Sequence, residues 1–71
     1  MGKRMEQVAS LVFRDVEAGS PAFASLRAAN EVVALALSLE TNGDLEVCVT
    51  PKVARELAAA LEIAAQRAEA K

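Results

Sequence analysis

Histidine, tryptophan and tyrosine are absent from these 71 residues, and cysteine occurs once, as Cys48. Without an imidazole, one chain cannot form a Cys–His pair to activate its thiol. A single thiol and no histidine also leave no zinc-type ligand set, and one cysteine cannot close a disulfide within the chain. Glycine occurs three times and is never clustered, so no loop is suited to cradle phosphate. No apolar run approaches the ~18 residues of a membrane-spanning helix. The residues after Lys3 and Arg4, among them Glu6, Gln7, Arg14 and Asp15, are too polar for the apolar centre of a signal peptide. Excess positive charge is missing as well: the net charge is −2, so nothing draws the chain to nucleic acid or anionic lipid. The expectation is a non-enzymatic cytoplasmic protein with no metal, no cofactor and no membrane segment.

Aromatics are scarce too, limited to Phe13 and Phe23. A core must then be built from Leu, Val, Ile and Ala, which bury less area per residue than rings do. Chains this short rarely supply a sufficient core alone and recruit a disulfide, a metal or a partner chain. With the first two excluded, a partner chain is the remaining recourse, and the expected form is a homodimer. The chain reads as a single small domain over residues 1–71, with 1–4 an unstructured start or cloning remnant. Arginine over lysine and abundant alanine fit a GC-rich bacterial or phage genome.

What is present is clearest in the second half. Residues 32–40 alternate in polarity by side, Thr41-Asn42-Gly43 interrupts them, and 44–49 alternate again. A two-residue Asn-Gly turn would place Leu39 opposite Glu46 and mix leucine with glutamate on each face. A three-residue loop at 41–43 instead pairs Glu40 with Asp44, Leu39 with Leu45, Leu37 with Val47 and Leu35 with Val49. Gly43 then takes the left-handed position of a bulge. One face of this ribbon is bulky: Val33, Leu35, Leu37, Leu39, Leu45, Val47 and Val49. The other is small: Val32, Ala34, Ala36, Ser38 and Cys48, with Glu46 near the tip. Thr50 and Pro51 open an Ala-rich helix as cap and first residue. Its apolar stripe includes Val53, Leu57, Ala60, Leu61, Ala64 and Ala68, while Ile63 projects from the polar half beside Ala59 and Arg67.

The first half is less clear. In residues 5–18, Val8, Val12 and Val16 recur at four-residue steps, Glu6 lies near the start and Gly19 just past the end, as a helix requires. Val8 to Phe13 also reads as a short strand, but the helix is the preferred reading. Gly19-Ser20-Pro21 punctuates the chain, and Ser20 as cap with Pro21 at the first turn predicts a short helix over 21–29. Asn30 is its expected terminator. The fold expected is α+β in the order helix, short helix, strand, strand, helix. In it the antiparallel hairpin packs on the C-terminal Ala-rich helix, the N-terminal helix completes the core, and a second copy completes the assembly.

The functional expectation is a protein–protein interaction module: a homodimer that binds and modulates another protein as an inhibitor, adaptor or regulatory subunit. Its candidate surface comprises Val32, Ala34, Ala36 and Cys48 on the small ribbon face, with Ala59 and Ile63 on the helix. Cys48 itself is expected to be a small buried hydrophobe rather than a nucleophile. The alternative is a small DNA-binding transcriptional regulator using the two N-terminal helices as a helix-turn-helix. Ser25, Arg27 and Asn30 would then be its polar contacts, few cations for a phosphate-binding surface.

Overall fold

The computed structural model describes residues 4–40 and 43–70. Its elements are β1 (Glu6–Arg14), β2 (Pro21–Ala29), β3 (Val32–Leu39), β4 (Gly43–Val49) and α1 (Pro51–Glu69). The four strands form one antiparallel meander in the order β1-β2-β3-β4. The α+β class is as expected, but the element order is corrected: both expected N-terminal helices are strands.

The reason lies in an ambiguity of period. A four-residue step, such as Val8-Val12-Val16, suits a helix face but is also an even number, which suits a strand. What decides is the alternation between Ala9, Leu11 and Phe13 on one face and Ser10, Val12 and Arg14 on the other, with a bulge between Gln7 and Ala9. A helix over 21–29 would set Phe23 and Leu26, three apart, on one face. They fall on opposite faces, with Ala22, Ala24, Leu26 and Ala28 beside the bulky residues of β3. Pro21 opens a strand instead of a helix, which its fixed φ permits equally well.

The turns are built from local polar groups. Between β1 and β2, Asp15 Oδ1 accepts from the Glu17 amide at 3.1 Å and the Ala18 amide at 3.3 Å. The Asp15 backbone carbonyl accepts from the Gly19 amide at 2.7 Å, and Gly19 is left-handed at φ 74°. Gly19 therefore closes a hairpin connection, not a helix. Asn30, expected to be the left-handed terminator, cedes that role: between β2 and β3 it is Glu31 that has φ 65°.

The β3–β4 hairpin has the expected faces and a different register. Leu39 lies opposite Gly43, Leu37 opposite Leu45, Leu35 opposite Val47 and Val33 opposite Val49. The expected pairing is displaced by two residues, a slip that leaves every side chain on its own face. Gly43 has the expected positive φ, at 84°. The rest of the expected loop, Thr41 and Asn42, lies outside the described residues, as do Met1 to Lys3 of the expected unstructured start; Arg4 is exposed and in no regular element.

α1 begins as predicted. Thr50 Oγ1 accepts from the Val53 amide at 3.2 Å, and Pro51 occupies the first turn. Gln66 donates to Glu62 at 3.4 Å, one turn away. The helix buries no residue, and among the described residues it touches only β3 and β4. The only buried apolar residues described are Ala22 and Ala34. The expected core, in which an N-terminal helix covers the ribbon, does not form. The chain is correspondingly spread, with a radius of gyration of 14.0 Å against about 11 Å for a compact domain of this length.

Candidate interaction surface

The register divides the sheet into two unlike faces. The inner face, on the side of α1, carries Ala9, Leu11 and Phe13 of β1, Ala24 and Leu26 of β2, and Val33, Leu35, Leu37, Leu45, Val47 and Val49 of the hairpin. Between it and Ala54, Leu57, Ala58 and Leu61 of α1 runs an open groove of about 570 Å³. Its lining is apolar throughout. Leu57, Leu61, Leu45 and Leu11 remain substantially exposed, Leu61 at 69%.

The outer face is sealed differently. Arg27 of β2 and Glu46 of β4 form an ion pair that spans β3. Ala34, directly across from both Arg27 and Cys48, is only 1% exposed. A small residue is what allows two longer side chains to meet above it. The pair is partly exposed, so its net contribution is at most about 1 kcal/mol. At one end of the same face, Val12, Pro21, Phe23, Ser38 and Glu40 border a shallow hollow of about 310 Å³. Val12 is 78% exposed there and Phe23 40%.

The expected site residues are thus distributed over two surfaces. Val32, Ala34, Ala36 and Cys48 share the outer face, as the alternation predicted. Ala59 and Ile63 lie four residues apart on α1, both exposed. The structure does not bring the two groups together, because α1 stands on the inner side. Ala34 is unavailable to a partner beneath the ion pair. Cys48, expected to be buried, is exposed on the edge strand β4. β3 lies between β2 and β4; among the described residues the edges are β1 and β4.

Leu11, Phe13 and Leu26 on the inner face, and Val12 and Phe23 on the outer, did not enter the sequence-derived surface. The signal for those of β1, Leu11, Val12 and Phe13, was the two-residue alternation of 9–14, outweighed there by the four-residue steps. The helix-turn-helix reading loses both of its helices, since residues 5–29 form β1, its connecting turn and β2. Among the described residues no three His, Cys, Asp or Glu side chains gather to hold a metal, and no helix is long and apolar enough to cross a membrane. Comparison with family models, curated proteins and solved structures finds no match in any of the three.

Proposed function

We propose that this chain is a non-enzymatic protein–protein interaction module, a cytoplasmic homodimer that binds and modulates another protein as an inhibitor, adaptor or regulatory subunit. One observation carries the dimer: the surface is too large. The chain exposes 5812 Å², whereas a compact monomer of 7.5 kDa exposes about 4,200 Å². If each of two copies buries the excess of about 1,600 Å², the total is about 3,200 Å², within the range of obligate homodimers. Large apolar side chains such as Leu11, Leu45 and Leu61 contribute to what is exposed, which favours burial over solvation. The single exposed thiol suits a reducing compartment.

With the inner face committed to the dimer, the outer face is left for a different protein. Phe23 beside its hollow is the aromatic anchor there, flanked by Val12 and Arg14. Light scattering at micromolar concentration tests the first half: a mass of about 15 kDa is expected, twice the chain mass, and a stable monomer refutes it. Affinity capture tests the second half. A stoichiometric protein retained at high salt should be lost with Phe23→Ala while the dimer mass persists. Equal retention by Phe23→Ala removes the outer face from the reading.

A further inference from the structure

From the exposed inner face, where Leu45 of β4 is 64% and Leu11 of β1 58% exposed, we infer that the groove is occupied by α1 of a second copy, so that two helices lie side by side between two sheets. This deepens the homodimer reading above and rests on it.

Dimensions come first. Adjacent strands are about 4.8 Å apart, so four strands make a floor about 14 Å wide between outer axes. Packed helices lie about 8–10 Å apart. One helix therefore covers half of such a floor, and two cover all of it. α1 touches β3 and β4 and leaves β1 and β2 without a helix. The open half also has the right length. A helix of 19 residues is about 28 Å long, and strands of 9 residues run about 30 Å.

The occupant follows from a second unfilled need. α1 buries none of its own residues, and Val53, Leu57 and Leu61 remain exposed along its apolar stripe. Any helix in the groove would cover Leu11, Phe13 and Leu26 together with Leu57 and Leu61, which line the same groove, but a second copy also brings an apolar stripe that is itself unburied. A two-fold operation satisfies both at once, because each copy offers one groove and one unburied stripe. The stripe is Leu alternating with Ala (Ala54, Leu57, Ala58, Leu61), which lets neighbouring helices approach closely while leucines reach the floor. The excess surface of about 1,600 Å² per copy is of the size such a sandwich removes.

Two measurements test this, both in a Cys48→Ala background so that the exposed native thiol cannot interfere. In the first, chains carrying Leu11→Cys are mixed with chains carrying Leu57→Cys or Leu61→Cys, exchanged and oxidised. A disulfide-linked species of about twice the chain mass that contains both variants is expected, since β1 of one copy faces α1 of the other. In the second, Leu61→Glu is placed on the helix, where a 69% exposed position tolerates the charge in a lone chain. Its mass by light scattering should fall from about 15 to about 7.5 kDa, with the helical circular dichroism signal reduced or retained. If the parent is a dimer, yet Leu61→Glu is equally dimeric and no mixed disulfide forms, the helix is not the occupant; the inference falls and the homodimer reading stands. If the parent is a monomer, both fall.

Discussion

The two faces of the sheet are finished in opposite ways. The outer face carries little bulk, yet it holds the more completely buried residue, Ala34, because Arg27 and Glu46 meet across it. The inner face carries every leucine of the sheet with Val33, Val47 and Val49, yet it buries only Ala22 well. Apolar content therefore does not measure how self-sufficient a surface is. A face of small residues can be closed by two long polar side chains of the same chain, whose aliphatic stems cover it. A face of large aliphatic residues needs a second layer, and α1 supplies little of one, leaving Leu45 of β4 64% exposed and Leu11 of β1 58%. The outer face is closed over Ala34, with Val12 and Phe23 still exposed at one end, and the inner face lacks a full second layer.

The contrast is most strongly broken by putting charge on the incomplete side. Leu35 lies at the centre of the inner face, opposite both Leu26 and Val47. Leu35→Asp should cost about 3 kcal/mol or more, most of the stability of a domain this small. Loss of the cooperative urea transition is expected; a normal transition would mean that this face is solvated in solution. A more discriminating change is Leu61→Ala, at a position that the lone chain leaves exposed. Truncating an exposed leucine costs almost nothing, whereas truncating one buried by a partner costs about 2 kcal/mol. We expect the larger value, with a unfolding midpoint that rises with protein concentration. The smallest effect belongs to the finished side. A double-mutant cycle on Arg27→Ala and Glu46→Ala should give a coupling below about 1 kcal/mol, weakened by salt, with the dimer mass unchanged. A coupling of several kcal/mol would show that the outer face is buried in the assembly too.

The second half of the chain was legible because its local signals agree. Thr50-Pro51 capped a helix of strong helix formers, and the alternation of 32–39 and 45–49 separated the faces correctly. The first half misled because its signals conflict. Ala22, Ala24, Ala28 and Ala29 are helix formers by propensity, but β2 is held between two neighbours, and long-range pairing overrides such preferences. The candidate surface suffered from the same gap. Val32, Ala34, Ala36 and Cys48 were correctly grouped, but their accessibility depended on Arg27, a residue on a strand read as a helix. No local pattern reveals that Arg27 and Glu46, 19 positions apart, will meet across Ala34.

That ion pair also acts as an alignment key. The inner face cannot distinguish Leu39 opposite Gly43 from Leu39 opposite Leu45, because aliphatic groups meet aliphatic groups in both. Sliding β4 by two residues moves Glu46 about 6.6 Å along the strand, from beside Ala36 to beside Ser38 and out of reach of the Arg27 guanidinium. A weak, solvent-washed contact thus carries discriminating information that the larger hydrophobic surface lacks. In informational terms, the charges specify a register that hydrophobicity leaves degenerate.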